Sequence, residues 1–494
     1  MNKSLQFNII KSFLFIILLF LFLPAFYVPE VNIPFYAVAI GVALGICLIS
    51  FRQSYIFSIL NLLKYNYFRV LIFFILWVIF VGFLFVALGK YPFYHFLYAT
   101  FLLLIYTNLS WYLLPALIIP NVFSLKFFIK FLFLGIYLIC IYGLLVYLFN
   151  ILGINLLNYI QDIINNRREE IVSLRVLSVF EEPSNMGSFL CANLPLLYTL
   201  ILSKYKIFQN NFLDIFIKRT YIPLLVITII FIQSPIWLIF FSIVTLIYFS
   251  KKIIKVIKRR LIPIFIILLI VLSFFSIHIN KFNSVDVSKT FLQRIVNVTQ
   301  TMTDWNTLVI AEPSLANRLL SYTSRAKLFI KYPLTGVGYK NTEYNIYNIL
   351  NTTKLSLTKE ISISMLNSYD RNRYVLINGS ILWILLSDTG LIGTFLFYLF
   401  IIFCIQTINK YLILMPECIE NDFFKAIRNS YIAVICLSIY DININIIYWW
   451  FLYGFVNVIM LKFIDNTNTI NHMQNREYTR IHTKKDCKAI QVNF

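Results

Sequence analysis

Twelve runs of apolar residues recur along this chain, at about 9–28, 33–51, 70–89, 94–115, 127–149, 184–203, 221–233, 235–250, 261–280, 390–408, 429–446 and 447–463. Most are close to the ~20 residues that a helix needs to cross a bilayer. In hydrocarbon every backbone N–H and C=O must be satisfied within the protein, which leaves the helix as the spanning element for runs of this length. The expected fold is therefore an all-α, polytopic membrane helical bundle of about 12 transmembrane helices. Composition agrees: 60% of the 494 residues are hydrophobic and the mean hydropathy is +0.80, where soluble domains sit near ~45–50% apolar. The first run has Lys3 before it and Lys11 at its start, in the manner of a signal peptide. It is long enough to span and lacks a small-x-small site before Pro29, so it reads as the first membrane helix. The seventh and eighth runs are short and meet at Gln233-Ser234-Pro235.

The formal charge of +21 does not point to nucleic acid, because the basic residues lie between apolar runs instead of gathering on one stripe. They sort by side instead. With the N-terminus inside, the inner segments hold 26 of the 42 Lys and Arg and 7 acids, a net of 26 − 7 = +19. The outer segments hold 16 basic and 13 acidic residues, 16 − 13 = +3, and Asp441 falls within a span. This is the asymmetry of the positive-inside rule, and an even number of spans puts both termini in the cytoplasm. The expected organisation is a membrane bundle over 1–280 with a small outward island at 151–183, a large outward loop over 281–389, three more helices over 390–463, and a basic cytoplasmic tail over 464–494. The seven cysteines (47, 140, 191, 404, 418, 436 and 487) form no C-x-x-C pair and avoid both polar islands, which argues against a disulfide framework or a zinc site.

Polar chemistry gathers in two outward places. In the first, Arg167, Arg168 and Arg175 stand beside Glu169, Glu170, Glu181 and Glu182 at the mouth of the sixth span. Arg167 to Glu170 read as a solvated loop. Glu181-Glu182-Pro183-Ser184-Asn185 abuts an apolar helix, with Pro183 suited to an early helical position and Ser184 or Asn185 to capping; the same acids also suit a polar group at the mouth of a membrane cavity. The second island carries Arg318, Tyr322, Arg325, Lys327 and Lys331 ahead of Pro333-Leu334-Thr335-Gly336-Val337-Gly338-Tyr339. A guanidinium stays charged and offers a planar fork to phosphate oxygens, although lipid headgroups and local ion pairs use arginine equally well. Gly336-Val337-Gly338 lacks the rest of a nucleotide-binding fingerprint and indicates a tight turn or a close backbone approach.

Arg318-x-x-x-Tyr322, the Pro333 to Tyr339 turn, and Asp388-Thr389-Gly390-Leu391-Ile392-Gly393 together resemble the signature of the O-antigen polymerase and O-antigen ligase superfamily. The stretch from Arg175 to Asn185 is similar to that family's Arg…Phe-x-Glu-Pro-Asn segment, with Ser184 interposed. Pro235 stands where the family's Ser-Arg turn has its arginine, and Gly379-Ser380 stands where ligases carry a His-Asn pair, which favours the polymerase branch.

The resemblance implies a metal-independent, cofactor-free glycosyltransferase of the bacterial inner membrane. It would polymerise undecaprenyl-pyrophosphate-linked oligosaccharide repeat units into O-antigen or capsule-like surface polysaccharide at the periplasmic face. Its partners would be those lipid-linked oligosaccharides, membrane lipids, a chain-length regulator and a flippase, with no nucleic acid. On this reading Arg318 and Arg175 stabilise the pyrophosphate, and Glu181, Glu182 and Asp388 are candidate general bases. Arg325, Tyr322, Gly336, Gly338, Tyr339 and Asn185 line the substrate. His95 and His278 fall at outward ends of spans, while His472 and His482 lie in the tail. The alternatives are a ligase that transfers finished polysaccharide to lipid A-core, and a flippase or transporter, which would be expected to show internal repeats; none is evident in the chain. Cysteine-accessibility mapping should label a cysteine at Ser356 from outside and leave those at Lys255 and Lys484 protected; a cytoplasmic residue 356 would overturn the site assignments.

Overall fold

A computed structural model describes residues 27–28, 33–34, 60–108, 124–151, 183–232, 235–257, 305–306, 308, 313–351, 380–414, 417–438, 453–458 and 460–461. Among them are ten helices: α1 (Asn66–Ala87), α2 (Phe93–Asn108), α3 (Leu125–Ile151), α4 (Pro183–Leu202), α5 (Asn211–Ile232), α6 (Pro235–Ile257), α7 (Pro313–Lys331), α8 (Asn341–Asn351), α9 (Ile381–Leu414) and α10 (Ile419–Leu437). Further helical turns cover 453–458. A two-residue antiparallel ladder pairs β1 (Tyr27–Val28) with β2 (Ile33–Pro34), at the junction of the first two apolar runs, which otherwise lie outside the described residues.

The chain is a helical membrane protein by the character of its helices. Four segments are long and apolar enough to cross a bilayer: Asn66–Ala87, Leu125–Phe149, Asn211–Ile232 and Ile381–Ile413. Shorter apolar helices cover Phe93–Ile105, Met186–Leu202 and Trp237–Tyr248. On α1, Phe73, Leu76, Phe80 and Phe83 form an exposed stripe while Phe74, Ile75, Val78, Val81 and Phe85 are buried. Both faces are apolar. Such a surface in water would be a sticky patch, and against lipid tails it is simply solvated.

α4 is the centre. It packs against α10, α6, α5 and α3, and a helix apolar all round belongs inside. Leu190, Cys191, Leu194, Leu196, Leu197 and Tyr198 are fully buried. Gly187 lets α6 approach: a Cβ there would stand 2.3 Å from Trp237 Cδ1.

Among the helix boundaries that differ from those expected, two take in charged residues. The seventh run is not a short span from 221, because α5 begins at Asn211 and runs for 22 residues. Its polar first turns survive because they are paired: Asp214 Oδ1 accepts the Ile207 and Phe208 N–H groups at 2.8 and 3.0 Å, and its Oδ2 lies 3.1 Å from Lys218 Nζ. Lys218 also donates to the Tyr205 carbonyl at 2.7 Å. Likewise α10 starts at Ile419, ten residues before the eleventh run, with Glu420 and Asp422 in its first turn, where acids suit the helix dipole. Apolar windows exclude such residues; folded pairs retain them.

The helix ends sort into two groups. At one end Ser203 Oγ donates to Asp422 Oδ2 at 2.7 Å, and Lys204 Nζ reaches Glu417 Oε2 at 2.7 Å. That hydrogen bond raises the Lys204 pKa and lowers that of Glu417, yet both side chains are solvated, so the pair adds little stability. At the other end the α1–α2 turn meets the segment after α7: Tyr91 Oη donates to the Tyr339 carbonyl at 2.9 Å. Asp214 is the buried keystone of the first end. Asp214→Ala leaves two backbone N–H groups without their acceptor and Lys218 without its carboxylate, and should lower stability by about 2–4 kcal/mol, read as a depressed thermal midpoint in detergent, whereas Lys204→Gln should leave that midpoint unchanged.

Candidate functional site

The second polar island does not form an open loop where it is described. It contains α7, α8 and, from Ile381, the first turns of α9. The tenth run's expected start at Gly390 is instead a break inside α9, with Gly390 at φ 66°, ψ −170°. One residue proves how sharply the helix folds there: the Ser438 carbonyl accepts from Leu382 N–H at 3.1 Å, and the Ser438 hydroxyl meets Tyr398 Oη at 2.7 Å. Residues sixteen apart would be ~24 Å apart along a straight helix.

The break is filled by the Pro333–Gly338 turn. An unbroken helix would bond Leu391 N–H to the Ser387 carbonyl and Ile392 N–H to that of Asp388. Here the two carbonyls accept from Val337 and Gly338 N–H at 2.9 and 2.8 Å, while Leu391 and Ile392 donate to the Pro333 and Leu334 carbonyls at 2.8 and 3.4 Å. The two segments touch backbone to backbone. A Cβ on Gly336 would stand 2.5 Å from the Asp388 carbonyl carbon, and one on Gly390 would stand 2.3 Å from the Leu334 oxygen. Gly336 and Gly338 have φ of 65° and 100°, a region that favours glycine. The tight turn and close approach expected from Gly336-Val337-Gly338 are both present. Trp77 of α1 adds an indole bond to the Thr389 carbonyl at 2.9 Å.

Around this clasp the charged groups take different depths. Arg325 is only 2% exposed; its Nε donates to Ser321 Oγ and its Nη1 to Ser387 Oγ, each at 3.3 Å. Asp388 is equally buried. Its Oδ2 accepts the Lys340 N–H at 3.0 Å, and its Oδ1 accepts from the Thr342 hydroxyl. Thr342 Oγ1 also lies 3.1 Å from Ser387 Oγ, so hydroxyls link guanidinium to carboxylate. Lys340, at φ 60°, turns the chain into α8, and Asp388 secures that entry. The carboxylate is an anchor in this arrangement.

Arg318 and Tyr322 are half-buried on α7. Spacings of four and three residues put Arg318, Tyr322 and Arg325 along one stripe of the helix. Three lysines surround the turn. Lys90 and Lys331 stand 5.8 and 5.5 Å from the centre of the Tyr332 ring, and Lys340 lies 5.6 Å from that of Tyr98, within cation–π range. Phe85 packs edge-on to Tyr332. This end is a cationic rim above a buried Arg–hydroxyl–Asp unit.

Of the residues singled out in the sequence, Arg318, Tyr322, Arg325, Gly336, Gly338, Tyr339 and Asp388 belong to this one assembly. Asn185 lies in the first turn of α4. Arg175, Glu181 and Glu182, like Asp441 and His278, lie outside the described residues. His95 sits in the first turn of α2, its ring edge-on to Tyr94. Sequence reasoning passed over Ser321, Thr342, Ser387, Lys90 and Tyr332. Ser321 carried a legible signal, one helical turn before Arg325; the others depend on contacts between distant segments. Among the described residues no three His, Cys, Asp or Glu side chains gather as a metal site.

No family model matches the chain, and no curated protein matches it. The interlocked glycines make a direct test. Gly336→Ala and Gly390→Ala each force a Cβ against backbone at a left-handed φ, and each should destabilise by about 2–4 kcal/mol. Gly89 has φ +67° but open space around it, so Gly89→Ala should lose only about 1 kcal/mol; equal thermal midpoints for the three variants would show that the clasp does not form.

Proposed function

We propose that the chain is a membrane-embedded glycosyltransferase that lengthens a surface polysaccharide by joining oligosaccharide units carried on a polyprenyl pyrophosphate, in the manner of an O-antigen polymerase. The observation that carries this reading is the meeting of two motifs. The Pro333–Gly338 turn and the Asp388–Gly393 run, whose glycines 336 and 390 are 54 positions apart, bore the resemblance as separate short patterns. They complete each other's hydrogen bonds, as parts of one functional unit should.

In this reading the twelve-span topology holds, with both termini cytoplasmic and the cationic rim on the outer face. Arg318 is the principal ligand of the pyrophosphate, because Arg325 is enclosed by Ser321 and Ser387 and serves to hold the α7–α9 junction. Lys90, Lys331 and Lys340 draw the anionic donor to the rim. The acceptor hydroxyl attacks the anomeric carbon of the donor; the bond from that carbon to the pyrophosphate oxygen breaks and the electron pair leaves with the pyrophosphate. Guanidinium groups at the leaving oxygens stabilise the developing charge. Asp388 already accepts two hydrogen bonds, so it positions α8. The hydroxyl proton passes to Glu181 or Glu182, which directly precede α4, and Arg175 joins Arg318 on the phosphates.

A deletion strain separates this reading from its rivals. Loss of a polymerase leaves the final acceptor capped with a single repeat unit. Loss of a ligase leaves it bare while polymer accumulates on the lipid carrier, and loss of a flippase traps single lipid-linked units on the cytoplasmic side. We expect the first profile on polysaccharide gels. Arg318→Lys at normal expression should reduce polymer to roughly 1% or less, since an ammonium keeps the charge but not the fork; full-length chains from that variant would remove Arg318 from the site.

A further inference from the structure

The end of the bundle opposite the cationic rim carries a cleft of about 340 Å³ between the start of α1 and the end of α9, lined by Lys64, Tyr65, Asn66, Phe403, Gln406, Thr407, Lys410, Tyr411 and Met460. On α9 the lining residues recur at three- and four-residue spacing, so one stripe of the helix faces the opening. Two ammonium groups enter the lining. Lys64 Nζ donates to the neutral Asn61 side-chain oxygen at 3.2 Å, and Lys410 makes no hydrogen bond or ion pair among the described residues. Both are exposed. Three other lysines at the same end face carboxylates instead: Lys204 is paired with Glu417, Lys218 with Asp214 and Lys425 with Asp422.

Asn66, Gln406, Thr407 and the two tyrosines add neutral donors, no acid is among the described lining residues, and Phe403 and Met460 supply an apolar wall. We propose that this cleft binds a phosphate anion between Lys64 and Lys410. Two charges and several neutral donors around one opening match a group with several acceptor oxygens and a net negative charge. The apolar wall, at a helix end beside exposed Ile402 and Ile413, favours the headgroup of an anionic phospholipid over a free ion, with the acyl chains passing down α9.

Native mass spectrometry of the detergent-purified full chain tests the site, with phosphatidylglycerol, phosphatidylcholine and inorganic phosphate offered as separate probes. One phosphatidylglycerol per chain should be retained in preference to phosphatidylcholine, and Lys64→Gln with Lys410→Gln should weaken retention by about 30-fold. Arginine at both positions should restore it. Lys204→Gln with Lys206→Gln removes as much charge from the same end outside the cleft and should leave retention unchanged. Retention of inorganic phosphate alone, abolished by the same double substitution, upholds the anion site and assigns it to a soluble phosphate. The proposal fails if neither phosphatidylglycerol nor inorganic phosphate is retained in preference to phosphatidylcholine, if the Lys64/Lys410 variant binds like the parent, or if the control pair weakens binding as much.

Discussion

A helix broken inside a membrane protein exposes backbone groups that no water reaches, and each one left unsatisfied costs several kcal/mol. The break at Gly390 exists because the Pro333–Gly338 turn supplies two donors and two acceptors at the four orphaned positions. Neither segment can hold its shape without the other. The placement of α7 and α8 follows, since they leave the turn on either side. So does the depth of Arg325, whose guanidinium ends at the hydroxyl of Ser387, a residue whose carbonyl is part of the clasp. The candidate site is thus located by main-chain hydrogen bonding, with side chains added to a frame that is already determined.

The two ends of the bundle treat charge differently. At the end holding Ser203 and Glu417, three lysines face carboxylates: Lys218 on Asp214, Lys425 on Asp422, Lys204 on Glu417. At the other, Arg325 is solvated by serine hydroxyls and Asp388 by a hydroxyl and a backbone N–H, while lysines lie against tyrosine rings. Asp388 offsets part of the charge of Arg325 and Lys340, while the hydroxyl and aromatic partners stabilise cations without adding negative charge. With Lys90, Lys331 and Lys340 all at the rim, basic groups outnumber the one buried acid there, in keeping with the phosphate chemistry proposed for it.

Much of this was legible in the residues. Lipid-length apolar runs specify the helices because hydrocarbon admits little else, and Gly336 and Gly338 announced a conformation that other residues avoid, whereas Gly390 read only as the start of a span. Helix ends were less legible wherever a charge is folded in: Asp214 and Lys218 look like a loop by residue type and are helical because they bond to each other and to the 205–208 backbone. Asp388 looked like an available acid in the sequence, whereas the bonds from Lys340 and Thr342 that occupy it arrive from residues nearly fifty positions away. The cleft at Lys64 and Lys410 left no local pattern, because it forms only when the ends of two antiparallel helices come together.

The Gly336–Gly390 contact also bears on how such a chain can change over time. A lipid-facing Phe or Leu exchanges for Ile or Val with little effect on a surface that needs only to be greasy, so the overall likeness between two membrane proteins of this kind fades quickly. The paired glycines have no such freedom, because the atoms that a new Cβ would strike are main chain, present whatever the neighbouring side chains become. No second substitution can make room. Drift would therefore erase the spans from recognition first and leave a short glycine pattern standing, spread across two distant stretches whose kinship is visible only once they are seen in contact.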